Sequence, residues 1–271
     1  MIPASWQRIL LTVGFFFIAL VMVAQTTLLP NAFSHNDYRR KRPLLDALNN
    51  GFRYVEADIY LRKGKLIVAH LLPCLKMNRT LEALYLKPLM EYIQQDTSAA
   101  SLKNGPLTLL IDIKSDGDET YYALLQVLEK YKQILSSYEN GQTTLRNVTI
   151  VLSGHKPHQL INNTTSGYVF IDDNLKNISG YPATERYPIA SCKYSRLLKW
   201  KGKGAISPAE IRRLRFYVAA AHRNGSKVRL WAAPQNKAVW SELLKCNVDL
   251  INTDHLTSLR RFLIAANAGS F

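Results

Sequence analysis

The stretch RYVEADIYLRKGKLIVAH, residues 53–70, contains two acidic residues and a histidine, which are side chains that can bind a cation or transfer protons. Side chains alternate between the two faces of an extended strand, so Glu56 and Asp58 point the same way, roughly 6 to 7 Å apart. Burying both is unfavourable unless a positive charge lies between them. A turn at Lys63-Gly64 would return His70 toward the acids on a second strand. The stretch predicts a cation site beside an imidazole, with a solvated acidic face as the alternative.

A third carboxylate follows in LLIDIK, residues 109–114. The same alternation puts Asp112 and Lys114 on one face of a strand. With the two acids of the first stretch this makes an all-oxygen site, which suits Mg²⁺ or Ca²⁺ rather than zinc. Lys114 and two histidines, His35 and His70, would complete a pocket for a phosphate ester. The alternative is a structural network in which the acids only neutralise Lys114 and the histidines.

Short apolar runs alternate with longer amphipathic stretches beyond residue 30, which is the pattern of a parallel sheet covered by helices. Eight such units predict an α/β fold, the (β/α)8 TIM barrel, and the remaining length of about 240 residues agrees with it. The eight runs are NAFSH (31–35), FRYVEADIY (52–60), LTLLIDIK (107–114), NVTIVLSG (147–154), GYVFID (167–172), YPIASCK (187–193), KVRLWAA (227–233) and VDLINTD (248–254).

A barrel carries its chemistry at the carboxyl ends of its strands, where the loops open onto one face. The candidate residues lie at such ends: His35 after the first run, the acids late in the second and third, and Trp231 late in the seventh. Trp231 would wall the substrate pocket, and ordinary packing is its alternative. Histidines outside this set lack a comparable acidic context and are expected at the surface or in structural roles.

The charge and composition of the chain narrow the classes of molecule that it could bind. The formal charge of +15 is spread over several clusters, which suits an anionic membrane surface or a phosphorylated substrate. The sequence has no zinc-type Cys/His pair, no phosphate-binding glycine loop and no aromatic-and-basic RNA motif, so we expect no nucleic-acid partner. Three widely spaced cysteines allow at most one disulfide. We expect a monomer.

The N-terminal thirty residues differ from the rest. An uncharged apolar run of sixteen residues, ILLTVGFFFIALVMVA, follows a single arginine and ends at Ala24. The run is shorter than the ~20 residues of a spanning helix, so residues 1–24 are predicted to be a signal peptide, with a retained membrane anchor as the alternative. Either would place the protein outside the cytoplasm. Residues 31–271 are expected to form a single domain, because no linker or repeat divides them.

These motifs resemble the phospholipase C-like phosphodiesterase superfamily, which includes glycerophosphodiester phosphodiesterases, phosphatidylinositol-specific phospholipases C and sphingomyelinase D-like enzymes. Two stretches, HNDYRRKRPLLDALNNGFRYVEADIYLRKGKLIVAH and the later RTLEALYLKPL, are similar to an exported, mostly bacterial branch akin to the fungal altered inheritance of mitochondria protein 6. The resemblance implies a TIM barrel that hydrolyses phosphodiesters of glycerol or phospholipid headgroups with a divalent cation.

The resemblance also implies roles for individual residues. In the family pattern His35 and His70 exchange protons with the nucleophile and the leaving group. Glu56, Asp58 and Asp112 hold the metal, and Lys114 and Trp231 contact the substrate. Either water or a neighbouring substrate hydroxyl could be the nucleophile.

Two departures leave the substrate open. Asn36 stands where glycerophosphodiesterases usually carry Arg, and apolar residues follow His70 in place of their His-Asp pair. A non-catalytic barrel that binds a lipid or a polyol phosphate and a metal-dependent phosphomonoesterase are the alternative functions.

Overall fold

The eight apolar runs form eight parallel strands in the computed structural model, which describes residues 27–71, 76–95, 105–178 and 184–269. The predicted signal peptide or anchor at residues 1–24 and Cys74 lie outside these residues. The strands are β1 (Leu29–Ser34), β2 (Phe52–Arg62), β4 (Leu107–Ile113), β7 (Val148–Gly154), β9 (Val169–Asn174), β10 (Ile189–Lys193), β11 (Lys227–Trp231) and β12 (Ile251–Thr253).

Hydrogen bonds connect these strands in the order β11-β10-β9-β7-β4-β2-β1-β12, with every pair parallel. An isolated parallel bridge between Arg229 and Leu250 brings the two ends of the sheet together. There the backbone N–H of Leu250 donates to the carbonyl of Val228 at 3.0 Å. The sheet is a nearly closed barrel, which confirms the predicted (β/α)8 fold.

The two faces of each strand divide as the alternation predicts. Val55, Ala57 and Ile59 of β2 are buried in the large core between strands and helices. A smaller apolar cluster fills the barrel interior, and its members are Phe33, Leu110, Val151, Phe170, Ile189 and Leu250. Glu56 pairs in register with Leu110, and Asp58 pairs with Asp112 on β4. The acids therefore lie on the inner face, with Asp58 beside Asp112.

A tight hairpin follows β2, as predicted. Lys63 and Gly64 both have positive φ, at 47° and 70°, which is the backbone of a two-residue type I′ turn. The returning strand β3 (Lys65–Val68) pairs antiparallel with β2. Beyond it the N–H of Ala69 donates to the carbonyl of Asp58 at 3.1 Å. The hairpin therefore brings the next residue, His70, level with Asp58.

Helices cover the outside of the barrel, and several begin with side-chain caps. Asp116, Ser207 and Asn236 each accept a hydrogen bond from a backbone N–H of the first turn of the helix that follows. None of the described helices combines the length and hydropathy needed to cross a bilayer. The helices are α1 (Leu45–Asn49), a π-helical turn (Glu82–Leu86) that continues into α2 (Lys87–Gln95), α3 (Gly117–Leu128), α4 (His158–Asn163), α5 (Pro208–Arg223), α6 (Lys237–Lys245) and α7 (Leu256–Asn267).

A small antiparallel sheet adjoins the start of β7 and was not predicted. It consists of β5 (Ser137–Glu139), β6 (Gln142–Thr144) and β8 (Ser166–Gly167). Its strands have two or three residues each, which is too short for an apolar alternation to be visible in the sequence. Both described cysteines, Cys192 and Cys246, are buried free thiols.

Gly154, at the end of β7, packs directly against the acidic strand. A Cβ there would lie 2.0 Å from Oδ1 of Asp112 and 2.4 Å from the carbonyl oxygen of Ile113, and its φ is +69°. Gly141 has a similar φ of +89°, but a Cβ there would meet no atom within 4 Å. Substituting alanine at Gly141 therefore introduces backbone strain alone, whereas substituting it at Gly154 introduces backbone strain and a steric clash.

We predict that Gly141→Ala lowers the free energy of unfolding by about 1 to 2 kcal/mol, because an L-residue is strained in the left-handed region. Gly154→Ala should cost about 1 to 3 kcal/mol more, because its methyl group overlaps Asp112 and the backbone. Urea unfolding of both variants measures the difference. Equal losses would show that the close approach to Asp112 does not matter.

Candidate active site

Three carboxylates converge on the inner face of the barrel. Glu56 and Asp58 extend from β2 and Asp112 from β4, and each offers one oxygen within 4.8 Å of the others. Glu56 and Asp58 are buried, with 4% and 3% of their surface exposed. Burial and the negative charge of Glu56 raise the pKa of Asp58 above its ordinary value. A cation between the three would relieve this repulsion.

Hydrogen bonding around the carboxylates leaves oxygen atoms for such a cation. Lys114 Nζ lies 2.7 Å from Oδ2 of Asp112, whereas Oδ1 of Asp112 is buried against Gly154 and receives no hydrogen bond from the described residues. The contacts that described side chains make with the Asp58 carboxylate all fall on its Oδ2. A buried acceptor without a partner is unfavourable, and a hard cation satisfies it. The donor set fits Mg²⁺ or Ca²⁺.

Two permanent cations, Arg229 and Lys114, lie among the acids. Arg229, buried inside the barrel, lies 3.3 Å from Oε1 of Glu56 and 3.5 Å from Oδ2 of Asp172. With Lys114 and both histidines protonated, the centre would hold four positive charges. These would balance the four carboxylates Glu56, Asp58, Asp112 and Asp254, whereas with neutral imidazoles two negative charges remain for a divalent cation to compensate. Asp172 also faces the cations of a neighbouring cleft.

His35 follows β1 and contacts one end of the acidic group. Its Nδ1 lies 2.9 Å from Oδ1 of Asp254, and its Nε2 lies 3.5 Å from Oε2 of Glu56. Gln235 and Asn36 donate to the Asp254 carboxylate at 2.7 and 3.0 Å, which holds it in place. Burial lowers the pKa of His35, but the Asp254 hydrogen bond and the charge of Glu56 raise it by more, so the net shift is upward.

His70 contacts the other acid of β2. Its Nδ1 lies 2.8 Å from Oδ2 of Asp58 and 3.2 Å from the hydroxyl of Tyr38. Tyr38 in turn donates to Oδ2 of Asp58 at 2.8 Å. The His70 side chain is 43% exposed, so its Nε2 is open to solvent and to a ligand. A carboxylate thus orients each imidazole through Nδ1, and the Nε2 edge faces the carboxylate group in His35 and is available for proton transfer in His70.

Trp231 lies outside the carboxylate group. It ends β11 with 39% of its surface exposed, and Lys193 Nζ lies 5.8 Å from its ring centroid. It lines a neighbouring cleft together with Asp172. The structure therefore brings six predicted residues together around the carboxylates and places the seventh, Trp231, beside them.

Sequence reasoning missed several residues that shape this centre. Arg229 had a visible signal, because it lies between Val228 and Leu230 inside a strand and alternation puts it on the same face as Trp231. Asp254 is the last residue of the eighth run, VDLINTD, and its contact with His35 spans 219 positions of sequence. Tyr38 had no signal, since a tyrosine in a basic stretch usually lies at the surface.

Comparison with known proteins identifies the family. Residues 23–172 match the AIM6-like phosphodiesterase domain. The chain belongs to this family. The match contains both histidines, all three carboxylates and Lys114, and it ends before Arg229 and Trp231. The match thereby identifies the chain as a phosphodiesterase-type domain.

Curated relatives cover most of the chain. Altered inheritance of mitochondria protein 6 of Saccharomyces cerevisiae S288c is 30% identical over 272 residues, which cover 82% of this chain and 68% of the relative. A homolog from Arthroderma benhamiae is 26% identical over 259 residues, which cover 84% of this chain and 82% of the homolog. A glycerophosphodiester phosphodiesterase from Parabacteroides distasonis has a similar fold, with a TM-score of 0.53 at 13% identity over 88% of this chain and 99% of that chain.

The predicted export is wrong. The curated relatives are yeast and fungal proteins, and their name refers to the inheritance of mitochondria, which are organelles inside the cell. Hydropathy misled the prediction because it measures how apolar a segment is and does not specify the compartment to which the segment leads.

Arg229 is the buried charge on which the interior depends, and Arg229→Met tests it. We expect the variant to lose about 3 to 5 kcal/mol of unfolding free energy, because Glu56 and Asp172 lose a buried partner. Adding Asp172→Asn should recover part of the loss by removing one stranded carboxylate. Urea unfolding in the presence of chelator measures both. The exposed Arg212→Met is the control, expected within about 0.5 kcal/mol of wild type; a similarly small effect of Arg229→Met would contradict the assignment.

Proposed function

We propose that the protein is a metal-dependent phosphoric diester hydrolase that acts on glycerophosphodiesters or phospholipid headgroups. The observation that carries the proposal is the group of three carboxylates with oxygens within 4.8 Å, flanked by two acid-oriented histidines. Membership of a phosphodiesterase domain family supports the reaction class. The name of the fold neighbour, a glycerophosphodiester phosphodiesterase, suggests the first substrates to try.

Glu56, Asp58 and Asp112 would hold the cation. When bound, a divalent cation supplies a positive centre for a non-bridging phosphate oxygen and offsets charge that develops at phosphorus. Lys114 Nζ, 2.7 Å from Asp112 and 3.6 Å from Asp58, adds a fixed positive charge at the same place. The negative charges of Asp112 and Asp58 raise the Lys114 pKa by more than burial lowers it, so the amine stays protonated.

His35 and His70 would move the protons of the reaction. Imidazole titrates near neutral pH, so one ring can take the proton of the nucleophile while the other gives a proton to the leaving alkoxide. Asp254 and Asp58 hold the two rings at Nδ1 and so fix which nitrogen exchanges the proton. Both water and a hydroxyl of the substrate fit this arrangement as nucleophile.

Removing a carboxylate charge should weaken the cation site. We predict that Glu56→Gln, Asp58→Asn and Asp112→Asn each lower the affinity for Mg²⁺ or Ca²⁺ in isothermal titration, because a hard cation loses an anionic ligand. Asp118→Asn removes the same charge from an exposed position and should leave the affinity unchanged. Unaltered cation binding in all three site variants would remove the metal assignment.

Each histidine should be needed for turnover but not for cation binding. We predict that His35→Ala and His70→Ala each reduce hydrolysis of a glycerophosphodiester by about 10² to 10⁴-fold, the usual contribution of a general acid or base. The double variant should be far less than multiplicatively worse, because the two residues act in one proton-transfer cycle. Calorimetry should find cation binding intact in both single variants.

Two simple substrates provide the controls. Bis-p-nitrophenyl phosphate has a good leaving group, so loss of the general acid should matter less there than with an alkyl diester. It should also react faster than p-nitrophenyl phosphate, which a phosphomonoesterase would prefer. Near wild-type turnover by both single variants on an alkyl diester would contradict the two-histidine mechanism. Absence of any turnover with cation supplied would favour a binding protein.

A further inference from the structure

A second cleft opens beside the carboxylate group, at the carboxyl ends of β7, β9, β10 and β11. Its volume is about 490 Å³. Lys156, Lys176, Lys193 and Arg196 line it, with Asp172 and Trp231. The family match at residues 23–172 includes only Lys156 and Asp172 of these six.

The cleft carries an excess of positive charge. Within the described part of the chain none of its four cations forms an ion pair, although Lys193 lies over the Trp231 ring. Asp172 is engaged by Arg229, and Asp173, which also borders the cleft, is buried and accepts from the backbone N–H of Asn174. Four cations so close together repel one another, and a bound anion lowers this repulsion.

The side chain of Asp172 forms a polar part of the cleft wall and is held by hydrogen bonds. Its Oδ2 accepts hydrogen bonds from the hydroxyls of Ser191 at 2.6 Å and Ser153 at 3.1 Å, and Arg229 lies 3.5 Å away. Its Oδ1 is buried and has no hydrogen-bond partner among the described residues. Only 2% of the residue is exposed, and a donor from a ligand in the cleft would satisfy this acceptor. A ligand with a hydroxyl for Asp172 and a phosphate for the cations satisfies both, which describes a polyol phosphate.

The cleft and the carboxylate group are near neighbours. A single guanidinium, that of Arg229, contacts Glu56 of the cation site through Nη1 and Asp172 of the cleft through Nη2. A small polyol that carries two phosphates can therefore reach both places at once. One phosphate would lie at the carboxylate group and the other among the lysines.

We propose that this cleft binds a second phosphate of the substrate. The preferred substrates are then phosphodiesters whose polyol carries a further phosphate group, and Lys193 and Arg196 act as specificity residues. This rests on the proposed diesterase activity for the substrate class, whereas the binding of a polyol phosphate in the cleft can be tested without it.

The binding test uses glycerol 3-phosphate and calorimetry in the presence of chelator, so that the cation site does not contribute. Wild-type protein should bind the probe. Lys193→Gln/Arg196→Gln should weaken binding by about ten-fold or more, because charge-assisted hydrogen bonds are lost. Arg212→Gln/Arg215→Gln removes the same charge from the exposed face of α5 and should bind like wild type. No binding by wild type, or equal losses in the two double variants, would overturn the proposal.

The turnover test compares glycerophosphoglycerol with bis(glycerophospho)glycerol in the presence of Mg²⁺, since the two share one type of diester bond and differ in the second phosphate. Wild type should have a kcat/KM on the second compound that is higher by more than its doubled number of diester bonds explains. The ratio should fall by about ten-fold in Lys193→Gln/Arg196→Gln and not in Arg212→Gln/Arg215→Gln. A wild-type ratio no greater than the statistical factor of about two, which arises because the second compound has two diesters and the first has one, would overturn the substrate class. Binding of glycerol 3-phosphate without turnover of either diester would reject the diesterase function and retain the cleft as a polyol-phosphate site.

Discussion

The interior of this barrel depends on how the buried negative charge of β2 is compensated. Glu56 and Asp58 lie on one face of a strand with almost no exposure, and Asp112 adds a third carboxylate from the neighbouring strand. Such charges cannot remain in a low-dielectric interior without partners. Arg229 compensates them from inside the barrel, Lys114 from its rim, and the histidines from the loops. The three carboxylates offer oxygens within 4.8 Å of one another, so a cation between them would compensate the negative charge that remains, and the proposed chemistry follows from that.

The charge distribution also divides the open face of the barrel into two parts. The carboxylate group is acidic within a chain of formal charge +15, and the cleft beside it is basic. Arg229 joins the two, since it contacts Glu56 on one side and Asp172 on the other. In the proposed function, the acidic part holds a cation next to the reacting phosphate. In the further proposal, the basic part binds a second phosphate of the substrate. The reaction class and the choice of substrate would then belong to separate residues.

Local pattern explains how much of this was predictable from the sequence. The eight strands, the hairpin after β2 and the shared face of Glu56, Asp58 and Asp112 follow from alternation and turn chemistry within a few residues. Asp254 and Tyr38 could not be found in this way, because their contacts with His35 and His70 exist only once distant segments meet. The short strands β5, β6 and β8 carry too few residues for a pattern. Export was predicted wrongly because an apolar N-terminal run contains no information about its destination.

The central claim is that a hard divalent cation held by three carboxylates makes this barrel a phosphodiesterase. Phosphorus NMR of a glycerophosphodiester incubated with the protein tests it most directly, because the technique distinguishes diester, monoester and cyclic phosphate in one spectrum. The account predicts that the diester signal is replaced by a monoester or cyclic phosphate signal with Mg²⁺ or Ca²⁺ present, that chelator stops the change, and that excess cation restores it. Hydrolysis that continues in chelator, or a diester signal that persists at saturating cation, would contradict the account.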